Sequence, residues 1–234
     1  MKTQRDGEGC ARGTKESATE IVVLCLLGLA LAVVFPCAFA EAVGVSVFLN
    51  SPQDGGVCAI SDFGFPQQEA EDFQLTGTYL TVTTVQWWGA YGSSPDPATD
   101  DYVIRFFSDD AGGPNTYPFE DIQVSDVTRT ATGMTASAWL SHDGGTIYEY
   151  SADLPSPITF TEATTYYLSV VNNTGSVWGW AENGSPSHWY RPSDAIAWSY
   201  SGQGTNLAFE LYAIPEPATL LLFGLGAVML RRKQ

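Results

Sequence analysis

Between residues 41 and 214 there is no lysine, and the basic residues are Arg105, Arg129 and Arg191 against 21 Asp and Glu, a balance of 3 − 21 = −18. A surface of that sign repels phosphate backbones and anionic headgroups, so nucleic acid is excluded as a partner. It leaves room for divalent cations or basic partners, and it favours solubility. Cysteine is almost as scarce. Cys10, Cys25 and Cys37 all precede residue 41 and leave Cys58 alone, so this stretch closes no internal disulfide and its fold must rest on packing. With no partner base in view, Cys58 reads as a buried residue rather than a nucleophile. Also missing is any sustained 3.6-residue apolar period of helical length. No Ser stands in a Gly-x-Ser-x-Gly setting, and His142 and His188 lack a zinc-ligand spacing.

What is present is strand-like throughout. Residues 79–88, 102–107, 146–150 and 165–171 are rich in β-branched and aromatic side chains. Turn signals stand between them at Ser94-Pro95-Asp96-Pro97, Asp110-Ala111-Gly112-Gly113-Pro114, His142-Asp143-Gly144-Gly145 and Asn172-Asn173-Thr174-Gly175. Further strands are expected near 43–49, 73–76, 121–130, 135–141, 177–181, 195–200 and 207–213. Ten or so short strands in the 174 residues (214 − 40) of one domain predict an all-β fold, two packed antiparallel sheets in a jelly-roll-like sandwich.

Candidate chemistry is thinner. Asp96, Asp100, Asp101, Asp109 and Asp110 flank the strand that carries Arg105, whose two ends lie about 20 Å apart, so the five cannot form one site. Asp109 and Asp110, with the carbonyls of the following turn, are the candidate calcium ligands, although the EF-hand spacing fails at Ala111 and Gly113. Solvated acidic turns explain the same cluster, and Arg105 is expected to pair with a carboxylate on a neighbouring strand. All seven tryptophans follow residue 41. Trp87 and Trp88 are adjacent on a strand and point to opposite faces, which makes Trp88 a candidate for exposure. Trp178 and Trp180 share a face, and Trp189 and Tyr190 fall in a Ser/Pro-rich loop. Flat rings beside carboxylates and amides suit a sugar, whose apolar face stacks while its hydroxyls find polar partners. Candidate glycan-binding residues are therefore Trp88, Trp178, Trp180, Trp189 and Tyr190; the competing reading packs these rings into the core. Glu71 with Asp72, Glu149 and Glu182 are conceivable acids for a glycan-active hydrolase or lyase, the alternative function, but with 21 acidic residues that choice discriminates nothing. No catalytic residue is assigned.

The two ends carry the most specific signals. Lys2, Arg5, Arg12 and Lys15 precede an apolar run from Ile21 to Phe35, followed by Ala38-Phe39-Ala40. This pattern reads as a secretory signal peptide cut after Ala40 and delivered to the translocon, with an uncleaved anchor as the alternative left by the long basic segment. At the other end Pro215-Glu216-Pro217 resist helix and sheet, Ala218 to Leu230 form an apolar run, and Arg231-Arg232-Lys233 supply a cytoplasmic stop. Thirteen residues rise only about 20 Å as a helix, which makes a marginal transmembrane anchor. Pro-Glu-Pro, a Leu-rich helix and terminal Arg-Arg-Lys together resemble the PEP-CTERM sorting signal of Gram-negative bacteria. The resemblance implies that an integral-membrane exosortase recognises the tail, cuts near Pro215–Pro217 and passes the protein from the inner membrane to the cell surface or extracellular polymer. Glu71-Asp72-Phe73, Trp87-Trp88-Gly89-Ala90-Tyr91 and the run from Asp101 to Asp110 further resemble a β-sandwich domain that recurs upstream of such tails in bacterial proteins of unassigned function. The expected organisation is a signal peptide at 1–40, an exported sandwich at 41–214 and the sorting signal at 215–234. The expected function is a biofilm or exopolysaccharide-associated surface protein, structural or carbohydrate-interacting.

Overall fold

The computed structural model describes residues 44–92, 96–137, 145–184, 188–202 and 206–214. The leader with Ala38 and Ala40, and the tail from Pro215 through Arg231, Arg232 and Lys233, lie outside the described residues, as do both expected terminal helices. Among the described residues the chain is all-β: β1 (Val45–Asn50), β2 (Cys58–Ile60), β3 (Gln68–Gln74), β4 (Thr81–Tyr91), β5 (Tyr102–Ser108), β6 (Glu120–Val124), β7 (Thr128–Thr135), β8 (Thr146–Thr159), β9 (Thr165–Asn172), β10 (Trp178–Ala181), β11 (Trp189–Arg191), β12 (Ser199–Tyr200) and β13 (Phe209–Ala213).

They form two antiparallel sheets. In the seven-stranded sheet β4 is the spine. β8 pairs along nearly all of one side of it, while β13 and β10 meet the other side end to end, β13 at Val82–Trp87 and β10 at Gly89–Tyr91. β1 then extends β13, β2 extends β10 and β7 extends β8. The second sheet runs β12-β11-β3-β9-β5-β6.

The period-2 alternation of each strand decides what lies between the sheets. Val82, Val85, Trp87, Tyr91, Trp178, Trp180, Phe209 and Leu211 from one sheet meet Phe73, Tyr102, Ile104, Phe106, Leu168 and Val170 from the other. Trp87 stacks on Tyr150 at 5.7 Å, and Tyr102 stands edge-on to both Trp87 and Trp178 at 5.2 Å. These geometries favour the positive ring edge over the negative face.

The outer face of the β4 sheet is also covered. Trp88 packs with Cys58, Ala90, Ala136, Ile147, Ala181 and Ala208 and is 6% exposed. The cover is stitched by the 53–57 loop, where Gly55 N–H donates to the Thr135 carbonyl and Ser137 N–H to that of Gly56, both at 2.8 Å. The expectation of an exposed Trp88 therefore fails, because both faces of β4 are shielded. Cys58, 1% exposed, packs in the same cluster, as expected of a buried thiol.

One close approach fixes how β10 meets β4. A Cβ on Gly89 would lie 2.2 Å from Cζ2 of Trp178 and 2.6 Å from the Gly179 carbonyl oxygen. Gly89→Ala should therefore lower stability by about 1–3 kcal/mol through overpacking. The denaturant midpoint with intrinsic tryptophan fluorescence measures this; a variant as stable as the parent would mean the indole has room to move.

Candidate functional site

β3 and β13 run side by side across the core in the same direction. The Glu71 carboxylate accepts the Leu207 N–H at 2.7 Å, and farther along the Phe73 and Phe209 rings meet at 6.1 Å. The start of β3 is thus at the far end from Ala213, which lies about 20 Å beyond Leu207 along the strand. At this far end Gln67, Glu69, His188, Tyr190, Tyr200 and Ser201 line a cavity of ≈ 410 Å³. That is within the range of small-ligand sites.

Register explains why five of these residues converge, whereas Tyr200 pairs with Trp189 and projects from the opposite face, its ring 5.2 Å from that indole. Tyr190 on β11 pairs with Glu69 on β3, so both project from the same face, while the flanking Trp189 and Arg191 pair with Ala70 and Gln68 on the opposite one. The Ser201 N–H donates to the His188 carbonyl at 2.9 Å and holds the end of β12 against the site. Tyr190 is 40% and Tyr200 59% exposed. Below them Glu69 is buried: Oε1 accepts from Gln67 Nε2 at 2.6 Å, and Oε2 lies 3.2 Å from His188 Nε2. Burial pushes the Glu69 carboxyl well above the usual carboxylate range; the Gln67 hydrogen bond opposes this and the charge of Glu182 adds to it.

Of the expected glycan-binding residues, the structure brings only Tyr190 to this pocket. Trp178 and Trp180 do share a face, but it is the core face, and both are fully buried, with the Trp180 indole N–H bonded to the Ala208 carbonyl at 2.7 Å. Trp88 forms part of the floor of a separate depression lined also by Pro52, Thr132, Met134 and Glu149. Trp189 is half-buried on the other side of its sheet, over Gly113 and 5.2 Å from the Tyr200 ring. Gln67, Glu69, His188, Tyr200 and Ser201 were not singled out, because 189–191 read as loop; recognising Trp189-Tyr190-Arg191 as a strand would have set Tyr190 apart from its neighbours.

The aspartates serve the fold. Asp109 accepts from Tyr167 Oη at 3.0 Å and from Gly112 N–H at 3.3 Å, and Asp110 closes the same turn through backbone bonds to Gly113. Among the described residues no group of three or more His, Cys, Asp or Glu is placed to hold a metal ion. Asp100 holds Tyr91 Oη and Arg129, and Asp101 accepts from Gln123 and Asn173. Arg105 pairs across to Asp121 at 3.3 Å, as expected, and also reaches Asp194 at 2.7 Å. Arg191 joins them, bonded to Asp194 at 2.6 Å and stacked 4.3 Å from the Trp198 ring centre. Burial alone would raise the Asp194 carboxyl, but the hydrogen bond and charge of Arg105 outweigh it, and the group lies below its usual range.

An acidic two-sheet β-sandwich with a pocket at the end away from Ala213 is the class these observations define. Over residues 48–221 the chain matches the family described as a domain of unknown function, DUF7901, and it belongs to that family. Residues 213–233 match the PEP-CTERM protein-sorting motif. That motif makes the chain an exported protein with a membrane-anchored precursor, processed by exosortase. No curated protein and no solved structure matches it.

The buried acids give a testable pH dependence. Burial pushes the Glu71 carboxyl up to about 9, against the opposing Leu207 hydrogen bond. The folded state then holds a proton that the unfolded chain releases near its ordinary carboxylate value, so stability is greatest below that value and falls as pH rises toward 9. Thermal unfolding from pH 5 to pH 9 should show Glu71→Gln losing less stability than the parent; parallel curves would place the Glu71 proton elsewhere.

Proposed function

We propose that the sandwich is a carbohydrate-interacting component of the cell surface or extracellular matrix of a Gram-negative bacterium, exported through the translocon and released from the inner membrane by cleavage near Pro215–Pro217. The observation that carries this reading is the pocket: the exposed Tyr190 stands beside an amide, a hydroxyl, an imidazole and a buried carboxyl, with Tyr200 at the rim. Exposed rings suit the apolar face of a pyranose, and the polar groups suit its hydroxyls. Placement supports it too, since a site remote from Ala213 projects away from the tail-proximal end. The hydrolase alternative is less favoured, because Glu69 is the one carboxyl among the lining residues and glycoside hydrolysis ordinarily uses a facing pair.

A glycan array probed with the full chain in detergent tests the reading. Tyr190→Ala should weaken binding roughly 3- to 10-fold while leaving the unfolding midpoint nearly unchanged, and Tyr200→Ala, which removes a ring lying against Trp189, should weaken it less. Binding that both variants retain in full would move the site elsewhere.

A further inference from the structure

Resting on the saccharide reading of this pocket, we infer that it takes uncharged sugar units and rejects carboxylated or sulfated ones. Recognition of an anionic sugar is strongest where a cation or a bound metal stands at the site. The domain has no lysine, and each of its three arginines is already committed. Arg105 and Arg191 share Asp194 Oδ1 and Gln68 Oε1 on the opposite face of β3 and β11 from Tyr190. Arg129 is held by Asp100 Oδ1 and the Pro97 carbonyl, between the Tyr91 and Tyr148 rings. Among the residues that line the pocket, the single side chain able to carry a positive charge is His188. That imidazole's Nε2 lies 3.2 Å from Oε2 of Glu69, so it is engaged within the protein. Around the pocket stands a domain of net charge 3 − 21 = −18, which repels polyanions before contact. Gln67, Ser201 and the Tyr190 hydroxyl line the pocket beside His188, neutral donors and acceptors matched to neutral hydroxyls.

The test is an array of matched oligosaccharides, galactose with galacturonate, mannose with mannuronate and glucose with glucuronate, plus sulfated members. The full chain is probed at physiological salt, with calcium and again with a chelator. The expected result is binding to at least one neutral member, weakened by Tyr190→Ala, with its acidic counterpart bound about tenfold or more weakly in both conditions. Equal or tighter binding of a uronate or sulfated member, with or without calcium, overturns the inference and leaves the saccharide reading standing. Silence across the whole array removes that reading, and the inference with it.

Discussion

Trp87 and Trp88 are consecutive on β4 and both are withdrawn from water, and this requirement organises both sheets. Consecutive strand residues face opposite ways, so one sheet partner cannot bury the pair. The β5-β9-β3 face covers Trp87, and Cys58, Ala136, Ile147, Ala181 and Ala208 pack on Trp88, with the end of β7 held by backbone bonds to the 53–57 loop. An indole buries about 150–250 Å², worth on the order of 4–6 kcal/mol at ~25 cal/mol per Å² before entropy is charged against it. With no disulfide available, such burial is the principal stabilising term. It also explains the length of β4, which must carry β13 and β10 in succession on one edge while β8 occupies the other.

Polar groups inside this frame are spent on geometry. Asp62, 1% exposed, accepts from the Gly64, Phe65 and Trp178 backbones and from Asn172 Nδ2, tying the end of β9 to the start of β10. The Arg105–Asp194–Arg191 cluster does the same for β5 and β11. Asp194 is half-exposed while both guanidinium groups are largely buried, so the cluster matters less as Coulomb energy than as the means of satisfying two buried cations. The domain thus reaches −18 in net charge while leaving none of its three cations for a ligand.

Much of the fold was legible because alternation is a local signal. β1, β4, β5, β9, β10 and β13 fall within a few residues of where β-branched and aromatic runs put them. Length and partition were less legible: 121–130 is divided between β6 and β7, and β8 continues through Pro155 and Pro157 to Thr159 although prolines weaken strand signals. β2 and β11 are three residues each, too short to show a period, and missing β11 hid the pocket. Which tryptophans are exposed could not be read at all, since Cys58, Ala136, Ile147, Ala181 and Ala208, which pack with Trp88, are all distant from it along the chain. The tail was readable because it depends on a linear pattern rather than on contacts.

The pairing of Val45 with Ala213, and of Ala213 with Val82, places the first and last strands of the sandwich side by side at one end. This gives the domain a direction of mechanical strength. Force applied between Val45 and Ala213 would peel β1 from β13 one hydrogen bond after another, a weak mode. Force applied between the pocket and Ala213 runs lengthwise along β13, so its bonds to β1 and β4 bear the load together and fail only together. A domain pulled at its pocket while retained by its tail is held in the stronger of the two.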